Sequence, residues 1–195
     1  MDCITNFKHN LCKEHPILHK TGHVYLSCDP FEILRQNEGK KVLILMVGVQ
    51  GCGKTTYCSK HFSSVCNIVN PDQILLGYCN SIQNISISEI NKLVYTTQME
   101  QIRNGLKNGI VVLDAASINF TFRMHILEAF EGMYDKSIII ALNPKKGTIK
   151  RQILGQLSER IRPNLWEDVD SDLEKMKLQL DNNIFQMGVD ELYVV

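Results

Sequence analysis

The stretch Val42-Leu43-Ile44-Leu45-Met46-Val47-Gly48-Val49-Gln50-Gly51-Cys52-Gly53-Lys54-Thr55 decides the fold of this chain. Its first part, Val42–Val47, has no polar side chain, which predicts a strand that is covered on both faces of a sheet. Its second part, Gly48–Thr55, fits the pattern G-x-x-x-x-G-K-[ST]. A helix is expected to follow over Thr55–Phe62. A buried strand, a glycine-rich loop and a helix in this order predict a loop that binds the phosphates of a nucleotide.

The residue types in this loop match the chemistry of ATP and Mg²⁺ binding. Gly48 and Gly53 stand where a Cβ would keep the backbone away from a phosphate. Lys54 is predicted to bridge the β- and γ-phosphates, and the Thr55 hydroxyl is predicted to ligate Mg²⁺. The loop amides and the N-terminus of the following helix direct hydrogen-bond donors and a positive dipole at the anion. The predicted nucleotide-binding residues are Gly48, Gly51, Cys52, Gly53, Lys54, Thr55 and Thr56.

Short apolar runs alternate with helical segments along the rest of the chain. The runs predict strands at 65–69, 110–113, 137–142 and 192–195, with a weaker strand-like run at 23–26. Helices are predicted at 86–106, where Ser86 and Glu89 fit a capping box, and at 121–130, 148–160 and 168–180. This alternation is typical of βαβ crossovers. The sequence therefore predicts an α/β fold, a P-loop NTPase with a parallel sheet of about five strands and helices on both faces.

Residues 1–38 are more polar than the rest of the chain and contain four histidines and three cysteines. They are interpreted as an N-terminal extension to a P-loop domain at 39–195. Within the extension, His15, His19 and His23 recur every four residues, as metal ligands on a helix would. Pro16 and Gly22 interrupt this stretch and disfavour the helix. An extension that packs on the core or is partly mobile is therefore preferred to a metal site.

Composition excludes several functional classes. The chain has 195 residues and no net charge, with 21 basic and 21 acidic residues, which argues against an extended nucleic-acid groove but not against a site for one strand end. Seven cysteines without regular spacing indicate free thiols in a reducing compartment, so a cytoplasmic or nuclear location is expected. No apolar run approaches the roughly 20 residues that cross a bilayer, and no secretory signal is recognised, so no membrane partner is expected.

Three blocks of the sequence match motifs of a known family. Gly48–Thr56 is similar to G-x-P-G-S-G-K-S-T, Val69–Ile74 to I-N-x-D-x-[IY]-R, and Val112–Arg123 to V-x-D-A-T-N-L-x-x-x-x-R. Together with a looser match in the basic stretch 150–162, they resemble the polynucleotide-kinase-like P-loop kinases, typified by bacteriophage 5′-hydroxyl polynucleotide kinases. The first block is shared by many NTPases, so the second and third carry the specificity. The resemblance spans about residues 41–195.

The resemblance implies an ATP-dependent kinase with an arginine-bearing lid, and it assigns roles beyond the P-loop. Asp72 would be the general base that accepts the proton of the acceptor hydroxyl, and Asp114 would orient the acceptor. Arg123 would support the site from the next helix. Arg151 and Arg160 would close over the triphosphate and neutralise charge during transfer. The catalytic residues predicted in this way are Lys54, Asp72, Asp114, Arg123, Arg151 and Arg160.

The acceptor side of the motifs departs from the family pattern. Leu75 replaces an arginine that would contact the acceptor's phosphate, and Ala116-Ser117 replaces Thr-Asn. Three functions therefore stay open: a kinase for the 5′-hydroxyl end of RNA or DNA, a kinase for a nucleoside, nucleotide sugar or other small metabolite, and a non-catalytic nucleotide-binding module. The first is preferred, and the sequence leaves the oligomeric state open.

Overall fold

The computed structural model describes residues 23–25, 27–81, 86–117, 119–142, 174 and 189–195. The strands are β1 (His23–Tyr25), β2 (Val42–Val47), β3 (Asn67–Val69), β4 (Ile110–Leu113), β5 (Lys136–Ala141) and β6 (Glu191–Val194). The helices are α1 (Pro30–Gln36), α2 (Lys54–His61), α3 (Pro71–Ser81), α4 (Ile87–Asn108) and α5 (Phe120–Ala129). The predicted lid, with Arg151 and Arg160, lies outside the described residues.

The described strands form one parallel six-stranded sheet in the order β1-β6-β5-β2-β4-β3. Strand β2 is in the middle, where Val42 is in register with Ile110 on one side and Lys136 on the other. All six of its residues are buried, as its apolar sequence predicts. The parallel α/β fold of the P-loop NTPase class is thereby confirmed.

The sheet has one strand more than the approximate number that the sequence predicts, because β1 pairs with β6. Tyr25 of β1 stacks on Tyr193 of β6 with ring centroids 4.7 Å apart. Helix α1 follows, begins at the N-cap Asp29, and places Ile33 in the hydrophobic core with 1% of its surface exposed. Residues 23–36, which lie in the predicted N-terminal extension, therefore add an exposed edge strand to the sheet and a helix that packs on the main core.

Helix α3 is a finding that the sequence analysis does not anticipate. The pair Asn70-Pro71 is interpreted there only as the end of a strand. In the structure Pro71 is the first residue of α3, and the Asn70 side chain accepts hydrogen bonds from the backbone N–H groups of Asp72 and Gln73. Proline suits a first helical position because the N–H it lacks has no partner within the helix.

Backbone hydrogen bonds join the loops that follow the central strands. The N–H of Gly48, after β2, donates to the carbonyl of Ala116 at 3.1 Å. The N–H of Asp114 donates to the carbonyl of Val69 at 2.9 Å. Because the strands are parallel, these loops meet at the carboxyl edge of the sheet, where ligands of such folds bind. No helix in the described ranges is both long enough and apolar enough to cross a bilayer.

Candidate active site

The glycines of the P-loop make its tight turn possible. Gly51 has φ of 74° and Gly53 has φ of 96°, in the left-handed region that other residues rarely adopt. A Cβ on Gly48 would lie 2.6 Å from the Cys52 Sγ and 2.7 Å from the Leu142 carbonyl oxygen. The loop thus needs glycine for backbone conformation at two positions and for close packing at a third.

Lys54 is held over the loop that precedes it. Its side chain is buried, and Nζ donates to the carbonyl oxygens of Gly48 at 2.9 Å and Val49 at 3.0 Å. The first N–H groups of α2 have no acceptor within the helix, and no side chain caps them. An ammonium group and free backbone donors therefore share one small region, which suits a polyphosphate.

The two cysteines of this region are buried and neutral. Burial raises the pKa of the Cys52 thiol, although the Lys54 ammonium opposes that shift. Burial, with the nearby Asp114 carboxylate, raises the pKa of the Cys58 thiol well above its ordinary value. Because the Cys52 side chain packs inward with 5% of its surface exposed, it shapes the loop from within.

Asn70 connects the two predicted acidic residues. Its Nδ2 donates to Oδ2 of Asp114 at 2.6 Å, while its Oδ1 accepts from the N–H of Asp72 at 2.9 Å. Asp114 is 4% exposed and follows β4, and Asp72 is in the first turn of α3 with an exposed side chain. One asparagine thus holds both the start of α3 and the carboxylate at the end of β4.

A cavity of about 420 Å³ lies beside this pair. It brings together residues from both predicted halves of the site, because Thr55 of the P-loop helix and Asp114 both line it. Asp72 lies in sequence between two of the lining residues, Asn70 and Gln73. The complete described lining is Thr55, Cys58, Ser59, Ile68, Asn70, Gln73, Ile74, Gln101 and Asp114.

Arg123 is in the interior of the protein rather than on its surface. It is 1% exposed on α5, and its Nη1 donates to the backbone carbonyl of Ser117 at 2.7 Å. Burial lowers the pKa of Arg123 to about 10, so the side chain remains protonated at neutral pH. The Ser117 that it holds has φ of 45°. This contact places Arg123 behind the loop that follows Asp114.

The residues present fit a nucleotide with Mg²⁺. Mg²⁺ usually takes one or two protein ligands and completes its coordination with phosphate oxygens and water. Thr55 and Asp114, which line the same cavity, supply a hydroxyl and a carboxylate for this purpose. The described residues contain no group of three or more metal-ligating side chains.

Several residues of this site are absent from the sequence predictions. Asn70 could have been found, because asparagine before proline is a signal for a helix start as well as for a strand end. Gln73 and Gln101 could not, because glutamine on a polar helix face has no distinguishing pattern. Of the predicted residues, the structure brings Lys54, Thr55, Asp72 and Asp114 to one edge of the sheet and places Arg123 beneath it.

The fold and the P-loop together define a kinase-like P-loop domain. The family model described as AAA domain matches residues 43–176, and the chain belongs to this family. No curated protein matches the sequence.

Solved structures share this fold at low sequence identity. A candidate kinase from Chloroflexus aurantiacus J-10-fl superposes with a TM-score of 0.59 at 12% identity, over 80% of this chain and 88% of the other. A chain of the Pnkp1/Rnl/Hen1 RNA repair complex superposes with a TM-score of 0.57 at 17% identity, over 76% of this chain. The match covers 46% of the repair-complex chain, so this protein spans less than half of that length. At these identities the likeness shows the fold alone.

Proposed function

We propose that this protein is an ATP-dependent kinase that transfers the γ-phosphate to a hydroxyl group, and that the acceptor is the 5′-hydroxyl end of a nucleic acid. The observation that supports this most directly is the cavity shared by Thr55 and Asp114. The cavity extends from the predicted Mg²⁺ ligand to Gln73 of α3 and Gln101 of α4, which leaves room for an acceptor beside the γ-phosphate, as a phosphotransferase needs.

In this proposal the acceptor oxygen forms a bond to the γ-phosphorus while the bond between that phosphorus and the β,γ-bridging oxygen breaks, and ADP leaves. Asp72 accepts the hydroxyl proton, since an exposed carboxylate at this position is able to act as a general base. Lys54 and the amides of α2 stabilise the charge on the phosphates. Thr55 and Asp114 would hold Mg²⁺, which would supply further neutralisation of the phosphate charge.

The nucleic-acid acceptor is supported by the second and third motif blocks and by the structural neighbour in an RNA repair complex. A small acceptor, such as a nucleoside, is the second candidate. One observation favours it: Leu75, where the motif carries an arginine, is a half-buried apolar residue. The protein lacks that cation for a phosphate at this position.

The test is a transfer assay with Mg²⁺ and γ-labelled ATP. Single-stranded 5′-hydroxyl RNA and DNA oligonucleotides are offered separately from a panel of nucleosides. Lys54→Ala is the loss-of-function variant, with an expected fall in kcat of about 10²–10³-fold because it removes a donor to the transferred group. Lys60→Ala is the matched control, as Lys60 is an exposed lysine on the same helix.

Label on the oligonucleotide 5′ end that is lost in Lys54→Ala and retained in Lys60→Ala supports the proposal. Label on nucleosides alone moves the protein to the second candidate. ATP binding without transfer to any offered acceptor contradicts the kinase proposal. Thermal unfolding of both variants shows whether a loss of activity is a loss of fold.

A further inference from the structure

The side chains that line the cavity carry an unusual net charge for a site that binds the end of a nucleic acid. Among the described lining residues none carries a positive charge, and the one charged group is the Asp114 carboxylate. No lining side chain would pair with a phosphodiester placed there, and a Mg²⁺ held by Thr55 and Asp114 would already be shared with the phosphates of ATP. The cavity therefore suits a part of the acceptor that is uncharged.

Three of the six polar side chains that line the cavity are amides. Gln73 from α3 and Gln101 from α4 approach it from two different helices. Neither side-chain amide is engaged in a hydrogen bond to another described residue, whereas the Asn70 amide is committed to Asp114 and to the start of α3. An amide group offers one acceptor and two donors, so it is able to pair with the mixed donor and acceptor edge of a nucleobase.

The remaining lining is apolar and suits the face of a ring. Ile68 and Ile74 are half-buried, and the neutral Cys58 thiol, which is buried, also lines the cavity. The volume of about 420 Å³ is near the low end of the range of about 300–1,000 Å³ for small-molecule pockets. A single nucleoside matches this size, and several linked nucleotides do not.

We infer that the cavity binds the terminal nucleoside of the acceptor through its uncharged base, with Gln73 and Gln101 as the residues that recognise it. This inference rests on the proposed function and makes it more specific. It implies that a phosphate on the 3′ side of the acceptor nucleoside contributes little to recognition, so free nucleosides are acceptors as well as strand ends.

The test compares adenosine, guanosine, cytidine and uridine with their 3′-monophosphates as acceptors of label from ATP. We expect kcat/KM for at least one nucleoside to lie within about tenfold of its 3′-monophosphate, since the inferred pocket makes no contact with that phosphate. Gln73→Ala and Gln101→Ala are each expected to raise KM for that nucleoside about tenfold with kcat little changed, as the loss of one or two hydrogen bonds predicts. Glu100→Ala is the matched control, because Glu100 is exposed on the same helix as Gln101 and does not line the cavity.

Calorimetric titration of the same nucleosides into the protein, with a non-hydrolysable ATP analogue present, separates this inference from the kinase proposal. Nucleoside binding that weakens in the two glutamine variants supports the pocket even where no phosphate is transferred. The inference is overturned if every 3′-monophosphate is preferred more than tenfold over its nucleoside. It is equally overturned if both glutamine variants behave like Glu100→Ala, or if no nucleoside binds.

Discussion

The donor and acceptor sides of the proposed kinase site are built in different ways. The donor side is the P-loop from Gly48 to Thr56, a single segment whose contacts are mostly with its own backbone, such as those from Lys54 to Gly48 and Val49. The acceptor side is assembled from β3, β4, α3 and α4, and Asn70 and Asp114, which are hydrogen-bonded, lie 44 residues apart. A site formed by one contiguous segment can be recognised as a sequence motif. A site formed by residues from several helices and strands has no such motif, because each element contributes only one or two residues.

This difference explains where the chain departs from the motifs it resembles. The donor block keeps its glycines, lysine and threonine and differs from the motif at Gln50 and Cys52. The departures that remove an expected polar or charged substrate contact, at Leu75 and Ala116-Ser117, are on the acceptor side. The phosphates of ATP are the same in every kinase, so the donor loop has little room to vary. The acceptor side varies with the substrate. Substitutions on that side therefore test whether phosphate transfer can be lost while ATP binding is kept.

The largest effect is expected from Asp72→Asn, which should lower the rate of phosphate transfer and leave ATP binding unchanged. Loss of a general base predicts a fall in kcat of about 10²–10⁴-fold, while ATP affinity, which belongs to the donor loop, stays near the unmodified value. Transfer kinetics and ATP binding measured on the same preparation check this. The control is Glu131→Gln, an exposed carboxylate after α5. Retention of more than a tenth of kcat would remove Asp72 from the role of base.

Asn70→Asp is expected to damage the acceptor side through stability as well as activity. It replaces the donor 2.6 Å from Oδ2 of Asp114 by a second carboxylate, and the free energy of unfolding should fall by about 1–3 kcal/mol at neutral pH. Two facing carboxylates raise the pKa of the pair, so the folded variant takes up a proton as the pH falls. The loss in free energy of unfolding should therefore become smaller between about pH 7 and about pH 5. Denaturant unfolding at several pH values measures this. A deficit equal to that of Asn67→Asp, an exposed site at the start of β3, would show that the bond to Asp114 contributes nothing.

Arg123→Met tests whether Arg123 stabilises the fold through its hydrogen bond to the loop after β4. Methionine keeps much of the buried volume but leaves the Ser117 carbonyl without its donor, so unfolding should become easier by about 1–3 kcal/mol. The affinity for ATP should not change. Arg103→Met is the control, since Arg103 is exposed and lies 5.9 Å from the centre of the Phe130 ring, a contact of about 0.5–1 kcal/mol. Unchanged stability combined with a lost kcat would indicate that Arg123 contacts the substrate.

The smallest effect is expected at Ser117, the described non-glycine residue with positive φ, 45°. Glycine adopts this conformation without the cost that a Cβ brings, so Ser117→Gly should stabilise the fold by about 0.5 kcal/mol after the greater freedom of the unfolded chain is counted. That corresponds to a rise in Tm of about 1–2 °C for a chain of this size. Ala116→Gly, at a neighbouring position without positive φ, should lower Tm instead. A lower Tm in both variants would show that the Ser117 side chain stabilises the loop.

The amino-acid sequence by itself determined the elements with strong local signals. Strands β2 and β4 have the predicted bounds, and α4 begins at the predicted capping box of Ser86 and Glu89. The P-loop is equally local, because glycine conformations and the donors of a helix start depend on a few consecutive residues. These features are visible in a single stretch of chain.

The tertiary structure alone decided which distant residues share the acceptor cavity. Helix α3, the bond between Asn70 and Asp114 and the approach of Gln101 follow from how α3 and α4 pack at the carboxyl edge of the sheet. The burial of Arg123 beneath the loop at Ser117 is a result of the same packing. Such contacts depend on long-range packing, and a polar residue on a helix has no local pattern that indicates its partner.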